Sequence, residues 1–314
     1  MTTDGPLEIA IVGAGRMGNA HLRALQSSGS VHVVAVSDPD PAARNRAVAG
    51  GLRAHATLEE LIHAGGFDAA LVASPTDSHL DAVRALSGAG VPTLCEKPCG
   101  RSAGEAFEAG RAAAEAGVPL QIGYWRRFVP SLRALHDEIH GGAFGVVQWV
   151  HCFHWDERPP PAAFRVRSGG IVIDMGVHEV DMTRWLTGED VVEAFGAAAS
   201  VGIDPPIDGD PESASFLARL SGGGLLSATL GRRFPPGDGC RVQVVGLKRA
   251  ADVPFVWPPD GDRTFEAALR AQAEAFAAWI AGGPCLGATA EDATAALAVA
   301  AMVLGSLDAG AQIG

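Results

Sequence analysis

Lysine and tyrosine are scarce in this sequence of 314 residues, which contains two lysines, Lys97 and Lys248, and one tyrosine, Tyr124. Arginine therefore carries nearly all of the positive charge, and the excess of acidic residues gives a formal net charge of -12. Such a charge argues against nucleic acid or an anionic membrane surface as a partner. Because lysine is so rare, a lysine inside a motif is a candidate for chemistry.

Cysteine pairs and long apolar runs are also missing. The five cysteines are scattered and include no CxxC pair, which is typical of reduced thiols in a cytoplasmic protein. We expect no membrane-spanning segment, since no stretch approaches the apolar length that a bilayer requires, and residues 1–6 do not resemble a signal peptide. The composition, 47% hydrophobic and 19% charged, indicates a globular protein with large cores.

The beginning of the chain carries a dinucleotide-binding pattern. The apolar run Leu7–Val12 is followed by a glycine-rich turn, a helical pattern and a second apolar run that ends near Asp38. The turn consists of Gly13, Ala14, Gly15, Arg16, Met17 and Gly18. This order of elements places a pyrophosphate at a helix N-terminus. We expect Asp38 to bind the adenosine ribose hydroxyls, which favours NAD over NADP, and we interpret Arg44 as a solvated helix charge.

The pattern of residues 1–123 predicts an α/β domain with a doubly wound parallel sheet that binds the dinucleotide. Short apolar runs alternate with helical patterns, as in the strand Asp68–Ala73 and the helix Ser78–Ala89. Ligands bind at the carboxyl ends of the strands in such sheets. Two further turns fall at that edge, and their candidate cofactor contacts are Ser74, Pro75, Thr76, His79, Glu96 and Lys97.

Residues 124–314 predict a second α/β domain, for substrate binding and oligomerisation. After a helix over Arg126–His140 and a strand over Val146–Trp155, several strands follow one another without helices, which indicates a largely antiparallel open sheet. One sheet face should carry a helix, and the other is a candidate surface for a homodimer or homotetramer. Two closing helices are predicted over Arg263–Ala281 and Glu291–Leu307, with packing back on the first domain left open.

The segment Gly169–Asp181, which reads GGIVIDMGVHEVD, follows a predicted loop over Asp156–Gly170 and should begin a helix. On a regular helix Asp174 and His178 are four residues apart and stack on one face. A carboxylate in that position can orient an imidazole for general acid–base chemistry. The alternative interpretation is a buried helix in which the two side chains only satisfy each other's hydrogen-bonding capacity.

Histidine spacing gives weak support for a metal site. His136 and His140 lie four residues apart, but the segment reads HDEIH, with the glutamate one place away from its position in HExxH. His151 and His154 fall on opposite faces of a strand. We therefore expect no metal ion.

Four motifs in this order, GAGRMG, SPTDSH, EKP and GGxxxDxGxHxxD, resemble the Gfo/Idh/MocA oxidoreductases, the family of glucose-fructose oxidoreductase and inositol dehydrogenase. The resemblance covers nearly the whole chain and implies a Rossmann domain, NAD(P) and a polyol or cyclic sugar substrate. It also implies a catalytic group of Lys97, Asp174 and His178. In this group we expect His178 to take the hydroxyl proton, Lys97 to stabilise the alkoxide and Asp174 to orient the substrate or the imidazole. Arg127 and His154 match positions near the substrate in the family.

Some features leave other functions open. The segment Phe234–Cys240 replaces a Tyr/Asp-containing segment of inositol dehydrogenases, so the substrate pocket should differ from theirs. A keto-sugar or nucleotide-sugar reductase would need extra basic residues, which Arg158, Arg165 and Arg167 could supply. A non-catalytic, cofactor-sensing regulator on the same fold should lack the lysine or the histidine of the motifs, and both are present.

Overall fold

The computed structural model describes residues 5–201 and 210–311, and their packing divides them into two compact units. Within the described residues, unit 1 contains residues 5–100, 104–125 and 266–294. Unit 2 contains residues 101–103, 126–201, 210–265 and 295–311. The roles assigned to the two predicted domains stay predictions.

Unit 1 is built on a parallel sheet with helices between its strands. The strands are β1 (Leu7–Val12), β2 (Val31–Ser37), β3 (Arg53–His55), β4 (Ala69–Val72), β5 (Thr93–Cys95) and β6 (Leu120–Ile122). The helices are α1 (Arg16–Leu25), α2 (Pro41–Ala49), α3 (Leu58–Ala64), α4 (His79–Gly88) and α5 (Ala103–Ala116). The six strands are ordered β3-β2-β1-β4-β5-β6, which confirms the doubly wound parallel sheet. The strand order reverses between β1 and β4, so the ligand crevice of such a fold lies at the carboxyl ends of these strands.

Two details of unit 1 differ from the sequence prediction, and the start of α3 has an irregular cap. The edge strand β3 has only three residues and was not predicted. The predicted helix Ser78–Ala89 is preceded by a 3₁₀ turn, Thr76–Ser78, and begins at His79. At the start of α3, Thr57 accepts a hydrogen bond from the Glu60 N–H, while the Glu60 carboxylate accepts one from Ala56 N–H and not from Thr57. In a standard capping box the Glu60 carboxylate would accept the backbone N–H of the N-cap residue, Thr57. Here it accepts the N–H of the residue before it.

Unit 2 is built on a mixed sheet. Its helices are α6 (Pro130–His140), α7 (Ala162–Arg167) and α8 (Val177–Thr187). Its strands are β7 (Val147–Trp155), β8 (Val191–Ala199), β9 (Ser213–Leu220), β10 (Leu225–Gly231), β11 (Gly239–Gly246) and β12 (Ala250–Val256). The six strands are ordered β12-β11-β7-β10-β9-β8. Only β7 and β10 pair in parallel, so the prediction of a largely antiparallel sheet is confirmed.

The two faces of this sheet differ in burial. Val150 and Cys152 of β7 are fully buried, and α8 packs on this strand. Residues of the opposite face are more exposed, because successive side chains of a strand point to opposite sides. On that face the side chains of Trp149, Phe195 and Val245 are 44%, 55% and 42% exposed. The second sheet therefore has one covered face and one open face that carries large apolar side chains.

The sequence prediction is wrong at three places in unit 2. The helix expected over Arg126–His140 is a 3₁₀ turn, Trp125–Phe128, followed by α6, because Pro130 favours an extended residue before it and starts a new helix. The loop expected over Asp156–Gly170 contains the short helix α7. The strand β12 was not predicted, since its sequence, AADVPFV, contains a proline and no clear alternation.

A late helix, α9 (Gly261–Ile280), completes the core of unit 1. Its Ala273 and Phe276 lie in one buried apolar cluster with Ile9, Ile11 and Leu71 of the parallel sheet. Glu274 of α9 also accepts a hydrogen bond of 2.8 Å from the Ser28 hydroxyl. The first unit thus depends on residues from near both ends of the chain for its core.

The last helix, α10 (Ala290–Ala311), has the length and composition of a membrane span over Ala290–Leu307. The expectation that no segment approaches such a length is wrong for this helix, whose mean hydropathy over these residues is 1.4. Within the protein, 33% of the segment is buried, and Val303 packs beside Gly196 of β8. Core helices of globular proteins have the same length and composition, so this feature is weak support for a membrane span.

Candidate active site

The glycine-rich turn of unit 1 has the shape that a pyrophosphate requires. A Cβ atom at Gly18 would lie 2.0 Å from the Gly13 carbonyl oxygen, so only glycine allows this approach of helix and turn. A Cβ at Gly15 would meet nothing within 4 Å, so this position opens to free space. Gly15 is also the N-cap of α1, and no side chain caps this end of the helix. The N–H groups at the start of α1 can therefore receive a phosphate.

Asp38 lies at the carboxyl end of β2 and holds this turn. Its carboxylate accepts hydrogen bonds from the Ala14 N–H at 2.7 Å and the Asp40 N–H at 2.8 Å. Arg44 donates to the carbonyl oxygens of Asp38 and Pro39, at 2.8 and 2.9 Å. The interpretation of Arg44 as a solvated helix charge is therefore wrong, because its half-buried guanidinium fixes the backbone beside Asp38.

Two further turns, after β4 and β5, supply the other predicted cofactor residues. His79 is buried and donates a hydrogen bond of 2.8 Å from Nε2 to the Ser74 carbonyl oxygen, and burial lowers its pKa. Pro75 and Thr76 lead from Ser74 into the 3₁₀ turn. Glu96 is buried and Lys97 is half-buried in the turn that follows β5. The turns after β1, β4 and β5 therefore share one edge of the parallel sheet and fit a bound dinucleotide.

The motif segment of unit 2 does not form one regular helix. Residues Val172–Gly176 form a π turn before α8 begins at Val177. The predicted stacking of Asp174 and His178 assumed regular α-helical spacing, and the wider π turn changes this spacing. The Asp174 carboxylate instead accepts a hydrogen bond of 2.8 Å from Nη1 of Arg232, at the end of β10. Asp156 lies 3.4 Å from the same nitrogen, and burial raises the pKa of its carboxyl group.

The other two acids of the motif are also paired with arginines. Glu179 Oε1 lies 2.6 Å from Arg126 Nη1, and both side chains are almost fully buried. Asp181 accepts two hydrogen bonds from Arg127, at 2.5 and 3.1 Å, in a buried bidentate pair. Charges without such partners would be costly to bury, so these pairs explain how an acidic segment lies inside the unit.

Two histidines lie next to these pairs. His154 Nδ1 is 2.9 Å from Glu179 Oε1 and 2.9 Å from Arg126 Nη2. Burial opposes a charge on His154, but Cys240 and Glu179 outweigh it and raise the pKa of His154 to about 9. In the charged form Nδ1–H donates to Glu179, and Nε2–H is a second donor. The rings of His154 and His178 are 6.1 Å apart in an edge-to-face arrangement, so the structure brings these two predicted residues together.

Comparison with known proteins identifies the family. The model of an oxidoreductase family with an NAD-binding Rossmann fold matches residues 7–124, and the Gfo/Idh/MocA C-terminal domain matches residues 132–251. The chain belongs to the Gfo/Idh/MocA oxidoreductase family. It is therefore a nicotinamide-dependent dehydrogenase, as the motifs predicted.

Three relatives illustrate the similarity. The chain is 46% identical over 292 residues to the rhizopine catabolism protein MocA of Rhizobium meliloti, covering 93% of this chain and 92% of the relative. It is 34% identical to the myo-inositol dehydrogenase Hyg17 of Streptomyces leeuwenhoekii, covering 88% and 90%. A crystal structure of a Sinorhizobium meliloti protein, proposed to be a myo-inositol dehydrogenase, superimposes with a TM-score of 0.90 at 29% identity, covering 97% and 98%.

The structure adds three residues to this family site that the sequence did not single out. Arg126 stands directly before the predicted Arg127, and it is Arg126 that contacts His154. Glu179 and Arg232 were missed because their importance comes from partners 53 and 58 residues away along the chain. The only signal for Glu179 was its place inside the motif. The substrate contact of Arg127 stays a prediction.

The three arginines of the predicted loop differ in burial. Arg165 of α7 is buried and pairs with Asp210 and Glu212, whereas Arg158 and Arg167 are exposed, and Arg158 contacts Glu157. Among residues 5–201 and 210–311, no group of three or more His, Cys, Asp or Glu side chains could hold a metal ion. His136 stacks on Trp185, with ring centroids 4.5 Å apart.

We predict that Arg232→Met lowers the free energy of unfolding at pH 7 by about 3–5 kcal/mol, because it leaves buried carboxylates without their counter-charge. The difference in free energy of unfolding between parent and variant should be smaller at pH 5, since buried carboxylates without a counter-charge have raised pKa values and take up protons there. Urea unfolding of both proteins at pH 7 and pH 5 measures this difference. Arg233→Met is the matched control, because the adjacent Arg233 side chain is 60% exposed and only 3.6 Å from Glu212. Equal losses in the two variants would contradict a structural role of the Arg232 pairs.

Proposed function

We propose that this cytoplasmic dehydrogenase oxidises a secondary alcohol of a small neutral polyol or cyclic sugar, inositol-like in shape, with NAD as its preferred cofactor. The observation that carries the proposal is the pair His154 and His178, held beside buried acid–arginine pairs in a family of oxidoreductases. The names of the relatives, which include myo-inositol dehydrogenases, support the same substrate class.

The proposed chemistry divides proton and charge handling among the chain's own residues. His178 takes the proton of the substrate hydroxyl as a general base. Lys97 stabilises the developing alkoxide, and Asp174, held by its hydrogen bond from Arg232, orients the substrate or the imidazole. His154 donates a hydrogen bond from Nε2 to a further hydroxyl. When bound, the nicotinamide supplies the acceptor for the hydride.

Pairing of the arginines supports a neutral substrate over an anionic one. The guanidinium groups of Arg126, Arg127 and Arg165 are each buried against a carboxylate of unit 2. A nucleotide sugar or sugar acid would have to compete with these acids for each arginine. The carboxylates of Asp156 and Asp174, whose side chains are 25% and 11% exposed, can accept hydrogen bonds from hydroxyl groups.

Substrate and catalysis are tested together by NAD reduction across inositols, free aldoses, sugar acids and nucleotide sugars. We expect an inositol or aldose to give the highest kcat/KM, and His178→Ala and Lys97→Ala each to lower kcat by about 10²–10⁴-fold. His32→Ala, at an exposed histidine of β2, should leave kcat unchanged. A tenfold preference for an anionic substrate would favour the alternative of a keto-sugar or nucleotide-sugar reductase. Tight NADH binding with no turnover of any substrate class would favour a non-catalytic, cofactor-sensing regulator.

Cofactor choice is tested at Asp38. A carboxylate repels the 2′-phosphate of NADP, so we expect the parent protein to have the higher kcat/KM with NAD. Asp38→Ala should lower the ratio of NAD to NADP kcat/KM by about tenfold or more, since Arg44 then lies beside the ribose position with no opposing acid. Asp81→Ala, at an exposed position of α4, controls for the loss of one negative charge. A parent protein that prefers NADP would disprove this role of Asp38.

The open face of the second sheet supports a homodimer or homotetramer. Exposed Trp149, Phe195 and Val245 make this face apolar enough for a second copy of the chain to cover it. We expect a dimeric or tetrameric mass by light scattering at micromolar concentration, and a smaller mass for Phe195→Glu, which places a charge on this face. Val166→Glu, at an exposed apolar residue of α7, is the control. A monomeric parent protein would contradict the proposal.

A further inference from the structure

Glu96, a candidate cofactor contact from its place at the edge of the parallel sheet, is turned toward the protein. Its side chain is only 6% exposed. One carboxylate oxygen, Oε1, lies 2.7 Å from Nε2 of His21, and the other, Oε2, accepts a hydrogen bond of 3.3 Å from the backbone N–H of Lys97. The carboxylate therefore joins a histidine of another element to the peptide group of the predicted catalytic lysine.

His21 is placed by the glycine-rich turn. It lies on α1 three residues after Gly18, on the side of the helix that faces the sheet, and it is 1% exposed. The same helix begins at the turn that fits the pyrophosphate. The bond between His21 and Glu96 thus connects the dinucleotide-binding helix to the turn of Lys97 within unit 1.

The surroundings of Glu96 leave it little freedom. Its N–H donates to the Val72 carbonyl oxygen at 2.8 Å, and its own carbonyl oxygen accepts from Cys99 N–H at 3.3 Å. A Cβ atom at Gly123 would come within 3.0 Å of Glu96 Oε2, so the absence of a side chain there makes room for the carboxylate. Backbone bonds and a neighbouring glycine therefore fix the carboxylate in one position.

The charge on Glu96 is stabilised by groups on three elements. Burial opposes ionisation, but the hydrogen bond from His21 and the charges of Lys97 and His79 outweigh it and lower the pKa of Glu96. The other titratable neighbour, Cys95, is a buried thiol whose pKa is raised by burial, so it adds no charge at neutral pH. Glu96 is therefore an anion close to Lys97 under the conditions in which the enzyme acts.

We propose that Glu96 and His21 are positioning residues for Lys97, which hold its backbone and its charge and couple it to the cofactor-binding helix. This inference rests on the proposed catalytic role of Lys97. It assigns Glu96 a task other than direct contact with the cofactor. If the proposal is correct, a substitution of Glu96 changes the surroundings of Lys97 in the enzyme without substrate.

The scarcity of lysine gives a direct readout. Reductive methylation with ¹³C-formaldehyde labels Lys97, Lys248 and the terminal amine, and NMR then gives one signal for each labelled group. In Glu96→Gln the signal of Lys97 should move, because the carboxylate beside its turn is lost, while the signal of Lys248 stays in place. Glu115→Gln, on the exposed side of α5, controls for the loss of a charge and should change neither lysine.

Binding and turnover separate positioning from cofactor contact. For Glu96→Gln we expect kcat to fall about tenfold or more while the Kd for NADH, from fluorescence titration, stays within about twofold. His21→Ala should lower kcat similarly, and His21→Gln, whose amide can still donate to Glu96, should restore most of it. Gly123→Ala, which crowds the carboxylate without changing any charge, should lower kcat and leave the NMR signal of Lys248 in place.

The outcomes are distinct. A tenfold rise in NADH Kd with an unchanged Lys97 signal would overturn the proposal and return Glu96 to the cofactor site. Equal loss of kcat in His21→Gln and His21→Ala would overturn the part played by the hydrogen bond. Thermal unfolding of each variant identifies any that fail to fold, and the isosteric Glu96→Gln then decides. If no polyol is turned over, the proposed function fails, but the NMR signal of Lys97 still tests this inference.

Discussion

Pairing between buried arginines and the acids of residues 174–181 is the interaction on which the site of unit 2 depends. Asp174, Glu179 and Asp181 each contact a different arginine, and all three pairs lie in the interior. Removing either partner would leave a buried charge uncompensated, at a cost of several kcal/mol. The motif can therefore lie against the sheet only in the register that satisfies these pairs, and this fixes the position of His178.

The same pairing also determines the charge of the neighbouring histidine. Glu179 binds both Arg126 and His154 through one oxygen, and the sulfur of Cys240 lies 3.6 Å from the same guanidinium. This arrangement keeps His154 a donor at neutral pH. The proposed chemistry uses this difference between two neighbouring imidazoles, with His154 as a hydrogen-bond donor and His178 as the base.

Unit 1 uses carboxylates in another way. Asp38 follows β2 and Glu96 follows β5, and each side chain accepts backbone hydrogen bonds from a turn at the same edge of the parallel sheet, two for Asp38 and one for Glu96. The acids of residues 174–181 pair with arginines. Asp38 and Glu96 instead accept hydrogen bonds from backbone N–H groups, and Glu96 also binds His21. Preorganised turns of this kind reduce the ordering that a bound dinucleotide would otherwise require.

The sequence by itself determined the elements whose signals are local. Apolar runs and the glycine-rich turn predicted β1 to the residue, and the order of motifs predicted the family. Only the tertiary structure decided which charges meet. Arg232 and Asp174 are 58 residues apart, and the π turn at Val172–Gly176 has no local signature, so their pairing depends on strand register and packing. Periodicity reports which side of an element is buried, but it cannot report what lies opposite, because that is set by contacts between distant segments.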